Sequence, residues 1–192
     1  MNMRRLLLAC GVTAATLATL AAPAPAYIVW NASASVPTGL YAIGGKTALA
    51  IGERVAIAPP PRLRAMLASR NYLPAGVPLI KRIAARGGQR VCRFGPAITI
   101  DGDFAGSARA RDRRGRRLPA WSGCHLLRAG ELFAMNPRSP GSFDGRYFGV
   151  LRSADLIGRA IPIWTDETGA GDHVWFAAPT AAASAPKPSI GD

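Results

Sequence analysis

Short runs of apolar and β-branched residues, separated by glycine, proline and acidic turn residues, fill the middle of the chain. The stretches "RVAIAPP" (Arg54 to Pro60), "VPLIKRIAA" (Val77 to Ala85), "AITIDGDFAG" (Ala97 to Gly106), "HLLRAGELFAMN" (His125 to Asn136) and "YFGVLRSADLIGRAIPIW" (Tyr147 to Trp164) read as strands. Asp101-Gly102, set between two apolar runs, predicts a tight hairpin. One stretch changes period. In "PPRLRAMLASRNY" (Pro60 to Tyr72), Leu63, Met66 and Leu67 fall at helical spacing behind a proline start, which predicts one short helix. "ARARDRRGRRLPAW" (Ala108 to Trp121) is expected as an exposed basic hairpin or loop, and the chain has no internal repeat. The pattern predicts a mainly β domain with one short helix.

The two ends are organised differently. Arg4 and Arg5 precede an apolar run from Leu6 to Ala22, broken by Pro23 and Pro25, with Tyr27 and Trp30 where an aromatic belt would lie. Ala26 to Trp30 extend that run toward the ~20 residues of a membrane span. Residues 1–30 therefore read as a single transmembrane helix or as a cleavable signal, since Ala24-Pro25-Ala26 resembles a cleavage site. Both readings export the rest of the chain. Lipidation at Cys10 fits poorly, because the apolar run follows that cysteine rather than preceding it. Residues 177–192 form an Ala/Pro/Ser-rich tail that cannot build a core, leaving residues 31–176 as the folded domain.

Composition adds bounds. A chain of 192 residues that is 49% hydrophobic and 18% charged can bury a core, which excludes a disordered protein. Its net charge of +13 admits nucleic acid, an anionic surface or acidic partners without choosing among them. The run from Arg109 to Arg117 reads as a solvated loop, and no nucleic-acid partner is expected. Cys92 and Cys124 form an even pair in the exported part, where a disulfide persists. Zinc is the other option, as His125 adjoins Cys124, but there is no second Cys or His grouping at ligand spacing; no metal and no cofactor are expected.

Lysines are rare, only Lys46, Lys81 and Lys187, against a large excess of arginine. Lys81 lies in an apolar stretch, flanked by Leu79, Ile80 and Ile83. Burial there lowers an amine's pKa, because desolvation penalises the ammonium form, and a neutral lysine can act as a base where arginine cannot. His125 and His173 lie in no stretch that resembles a serine-histidine site.

"SASVP" (residues 33–37), "LIKRIAARGGQRV" (residues 79–91) and "SFDGRYFG" (residues 142–149) resemble, in order and spacing, three boxes of the serine-lysine signal peptidases of family S26. The short Ser-x-Pro spacing and the "PTGLY" that ends it resemble the conjugative transfer peptidase branch, the TraF-like proteases that mature pilin subunits. The resemblance implies a signal-peptidase-like β domain with Ser35 as nucleophile and Lys81 as general base. It implies that Ser33 joins the Ser35 N–H in the oxyanion hole, that Ser142 orients the Lys81 amine, and that Asp144 and Arg146 pair to support that loop. It also implies a bacterial inner-membrane protein with a cytoplasmic N-terminus and a periplasmic catalytic domain. The partners would be a precursor substrate, either a pilin subunit or a signal-bearing protein, and membrane lipid around the N-terminal helix. The chain departs from the pattern twice: Arg86-Gly87-Gly88-Gln89 replaces a Pro-Gly-Asp-like turn, and Gly145 stands where a serine is usual. The reading from another class is a non-catalytic, basic component of an envelope assembly.

Overall fold

A computed structural model describes residues 27–178. The strands are β1 (Tyr27–Asn31), β2 (Thr38–Ile43), β3 (Arg54–Ile57), β4 (Leu79–Arg86), β5 (Arg90–Phe94), β6 (Ala97–Ile100), β7 (Asp103–Ser107), β8 (Gly123–Leu126), β9 (Glu131–Ala134), β10 (Leu151–Arg152), β11 (Leu156–Asp166) and β12 (Val174–Trp175). Two helices accompany them: α1 (Pro61–Ser69) and the single turn α2 (Gly145–Phe148). The larger sheet runs β1-β2-β11-β3-β4-β9-β10, with β12 added to β11, and the smaller runs β7-β6-β5-β8. Every pairing between these strands is antiparallel. The mainly β expectation is met, and α1 begins with Pro61 in its first turn as the proline start predicts.

Two details of the expected pattern change. Tyr27 to Trp30, expected to extend the apolar run of the N-terminal segment, form β1 and pair along β2 from Tyr27↔Ile43 to Asn31↔Gly39. Their backbone bonds are made across strands, and Trp30 packs toward Trp164 of β11 at 6.3 Å between ring centroids. Residues 1–26 of the expected anchor lie outside the described residues, as does the tail from residue 179. Among the described residues no helix is long and apolar enough to cross a membrane. The stretch from His125 to Asn136 is also two strands in different sheets, divided by a turn in which Arg128 O accepts from Glu131 N.

The core forms three clusters. Leu49, Val55, Ile57, Leu67 of α1, Leu79, Ile83, Leu132 and Leu156 fill one side of the large sheet. Val36, Tyr41, Ile43, Ala56, Ile80 and Ala160 form a second. Val91, Ile98, Leu127, Phe133 and Met135 join the two sheets. Asp101 and Gly102 take positive φ of 52° and 94°, which makes the expected β6–β7 hairpin. Cys92 and Cys124 face each other across β5 and β8 and are joined by a disulfide, with Cα atoms 4.0 Å apart. At a sequence separation of 32, the cross-link removes about 3–4 kcal/mol of chain entropy from the unfolded state. The arginine-rich segment lies inside that closed loop. It folds as a hairpin with an Arg111↔Arg117 bridge and docks on the end of α1 through Arg70 Nη1, which donates to the Arg117 carbonyl at 2.8 Å.

Candidate active site

The connection from Ala32 to Pro37 carries both serines between β1 and β2. A turn at Ala34 and Ser35 separates them, ahead of the Pro37 and Gly39 that the sequence suggests as turn residues. The two hydroxyls therefore meet instead of pointing to opposite faces as they would along an extended strand. Ser33 Oγ donates to Ser35 Oγ at 3.1 Å and accepts from the Ser35 N–H at 3.4 Å. Gly39 has a different job. Its φ is +134°, and a Cβ there would lie 2.2 Å from the Trp164 carbonyl, so only glycine lets β2 approach β11 at this point.

Lys81 comes from β4, opposite Val55 of β3. Strand alternation puts Leu79 and Ile83 on its side, and both belong to the first core cluster. Ile80, expected beside the amine, joins the second cluster with Val36 instead. Lys81 is only 3% exposed, and its Nζ lies 2.8 Å from Ser35 Oγ. Burial lowers its pKa from 10.5 to about 8, with Asp144 opposing the shift and Arg146 adding to it. An amine in this state loses its proton at a pH where the hydroxyl beside it keeps its own.

The loop from Asn136 to Arg146 closes the third side. Asp144 and Arg146 are fully buried and paired, with Nε to Oδ1 at 2.9 Å and Nη2 to Oδ2 at 2.8 Å. Arg146 Nη2 also donates to the carbonyls of Ser139, Asn136 and Ser142, so one guanidinium fastens most of the loop. Desolvation pulls the Arg146 pKa down, but its bond to Asp144 and that charge outweigh it, and the net direction is up. Asp144 Oδ2 accepts from the Asn136 N–H at 3.0 Å, and Asn136 Oδ1 accepts from the Arg82 N–H at 2.9 Å. The loop is thereby tied to the residue next to Lys81. Ser142 is buried at 2% exposure, and its Oγ has no hydrogen-bond partner, so the structure does not join it to the Lys81 amine by a hydrogen bond.

Both departures from the family boxes have physical reasons. A Cβ at Gly145 would stand 2.7 Å from the Ala134 carbonyl and 2.7 Å from the Phe133 ring, so this core has filled the space a serine would need. In the second box Gln89 Oε1 accepts from the Arg86 N–H, and Gln89 Nε2 donates to Asp101. An amide thus closes the turn, and the acidic group comes from the neighbouring hairpin. Asn31 is a site residue that the sequence reading misses. Its side chain enters the serine loop, with Oδ1 accepting from the N–H of Ser33 two residues on, and an asparagine just before a Ser-containing turn is the available signal. His125 and His173 belong to other surroundings: His125 pairs with Glu131, and His173 stacks on Trp164. Among the described residues no group of His, Cys, Asp and Glu is arranged to hold a metal ion.

A β domain that joins a serine hydroxyl to a buried lysine amine defines a serine-lysine arrangement. The chain belongs to the signal peptidase family, peptidase S26, whose model matches residues 2–165, and it is a serine peptidase. A signal peptidase I from Enterococcus faecalis V583 aligns over 60% of this chain and 98% of its own, with 16% identity and a TM-score of 0.35. No curated protein matches the chain.

Proposed function

We propose that the protein is a membrane-anchored serine endopeptidase that matures pilin subunits for conjugative transfer, using Ser35 and Lys81 as a catalytic dyad. The observation that carries the dyad is the 2.8 Å separation of Lys81 Nζ and Ser35 Oγ with the amine buried. Membership of the signal peptidase family supports a signal-bearing precursor as substrate. The pilin branch is supported by the Ser35-x-Pro37 spacing and the "TGLY" directly after it. In this reading residues 1–26 hold the domain at the periplasmic face of the bacterial inner membrane, with lipid around that segment.

Neutral Lys81 accepts the Ser35 proton as Oγ attacks the scissile carbonyl carbon. The oxyanion that forms accepts from the Ser35 N–H and the Ser33 hydroxyl, which exchange their mutual hydrogen bond for the substrate oxygen. The Lys81 ammonium then gives its proton to the leaving amine, and the C–N bond breaks to leave an ester on Ser35. Water, activated by Lys81, hydrolyses that ester; a substrate amine attacking the same carbon would instead give a cyclic product. In this reading the Ser142 hydroxyl, buried and without a hydrogen-bond partner in the resting structure, turns to the amine during the reaction and steadies its neutral state.

The test is co-expression with a pilin precursor and, separately, with a signal-bearing precursor, followed by intact mass of the products. The reading expects cleavage of the pilin precursor by the native protein and none by Ser35→Ala. Full processing by Ser35→Ala would overturn the dyad. Processing of the signal-bearing protein alone would leave a general type I signal peptidase.

A further inference from the structure

The loop that presents Ser35 gains no stiffness from a strand ladder, yet it has to hold two hydroxyls and one backbone N–H in register with a fixed amine. Most of its hydrogen bonds come from one side chain. Asn31, the last residue of β1, turns its amide into the loop, and Nδ2 donates to the carbonyls of Ser33 at 2.9 Å, Pro37 at 3.0 Å and Val36 at 3.2 Å. Its Oδ1 accepts from the Ser33 N–H at 3.1 Å, so the same amide grips Ser33 from both sides. At the far end Tyr41, buried in the second core cluster, donates its hydroxyl to the Pro37 carbonyl at 2.8 Å. Val36 is buried in that cluster too. The loop is therefore fastened on either side of Ser35, while Ser35 itself touches only Ser33 and Lys81 among the hydrogen bonds of the site.

We propose that Asn31 is a positioning residue for catalysis, acting through Ser33 to hold the oxyanion donors at Ser35, with Tyr41 as the anchor of the Pro37 end. The proposal rests on the Ser35-Lys81 reading. An amide is suited to the task because it offers acceptor and donors on one planar group: aspartate keeps the acceptor but turns the donor side into a second acceptor facing three carbonyls. Serine at position 31 keeps a short acceptor for the Ser33 N–H and lacks the donors that reach Val36 and Pro37. No part of the Asn31 side chain is hydrogen-bonded to Lys81, so its loss should leave the protonation of the amine alone.

The experiment is a double-mutant cycle on kcat with an internally quenched peptide bearing alanines at the first and third positions before the cleaved bond, with melting temperature as the control for folding. Asn31→Ala should lower kcat by ~10²-fold, the scale of a misplacement of about 1 Å in a catalytic group, with KM within about twofold. The pH at which activity rises should not move. Asn31→Asp should be as poor, and Asn31→Ser intermediate with a native melting temperature. In a Ser33→Ala background the Asn31→Ala effect should shrink to a few-fold, because the group it positions is gone. Native kcat in Asn31→Ala, or effects that multiply in full in the double variant, would overturn the proposal. If Asn31→Ala lowers the melting temperature steeply, the folded Asn31→Ser variant decides: native kcat there overturns it as well. Activity surviving in Ser35→Ala would be failure of the dyad itself, a separate outcome.

Discussion

Lys81 and Arg146 are two buried cations of one site, and the fold treats them in opposite ways. Arg146 meets a buried carboxylate in a two-point pair and adds carbonyl acceptors, so its charge is satisfied and permanent. Lys81 is as deeply buried but has a neutral hydroxyl as its hydrogen-bond partner, and its pKa is pushed down to about 8. Equal burial gives a lock in one case and, in the proposed reading, a proton acceptor in the other. The difference lies in where the carboxylate sits: Asp144 binds Arg146 directly and reaches Lys81 only through space, opposing but not cancelling the desolvation of the amine.

The strongest way to break this contrast is to make the two cations alike. Lys81→Arg puts a charge that cannot be removed beside Ser35, and turnover should fall below detection in an assay of precursor cleavage. Lys81→Met should be equally inactive but no less stable than the native protein at neutral pH, because it removes a buried amine that folding must desolvate. A denaturant midpoint well below native in Lys81→Met would show that the amine contributes net stability, against this account.

Removing the lock comes next. Asp144→Ala leaves Arg146 buried without its carboxylate, and a broken buried pair of this kind costs about 3–5 kcal/mol, measurable by denaturant unfolding. Asp144 raises the Lys81 pKa, so its loss should also move the rise of activity with pH toward more acid values in whatever folded enzyme remains. A shift toward alkaline pH would contradict the arrangement of charges.

A smaller effect sharpens the same loop. Gly145→Ser restores the residue usual in the family box, yet its Cβ meets the Ala134 carbonyl and the Phe133 ring. Destabilisation of about 1–3 kcal/mol is expected from overpacking, read as a lowered melting temperature. Native stability in that variant would mean that Phe133 yields readily. Combining it with Phe133→Leu should recover part of the loss.

The sequence made some of this legible and hid the rest for physical reasons. Strand periodicity, the proline-started helix and the Asp101-Gly102 hairpin were readable because they are local, and the cysteine pair was readable by elimination. The three boxes placed Ser33, Ser35, Lys81, Ser142, Asp144 and Arg146 together by resemblance, and the structure brings Ser33, Ser35 and Lys81 into hydrogen-bond contact and pairs Asp144 with Arg146. What remained hidden depends on distant partners. That Tyr27 to Trp30 form a strand results from pairing with β2, which an apolar run does not reveal. That Gly145 is dictated by Phe133, and that Gln89 closes its turn with Asp101 beyond it, required the neighbouring strands. Asn31 reads as the end of a linker in one dimension, and only the folded loop places its amide among the serines.

The central claim is that Lys81 serves as a neutral base, and the pH dependence of kcat/KM on a cleavable peptide tests it most directly. Below its pKa the amine is an ammonium ion and cannot take the Ser35 proton, so activity should rise as pH increases through about 8. The same rising limb should survive His125→Ala and His173→Ala unchanged. A limb near pH ~6.5 that disappears with either histidine substitution, together with activity in Lys81→Arg, would contradict the account and require a histidine-based site.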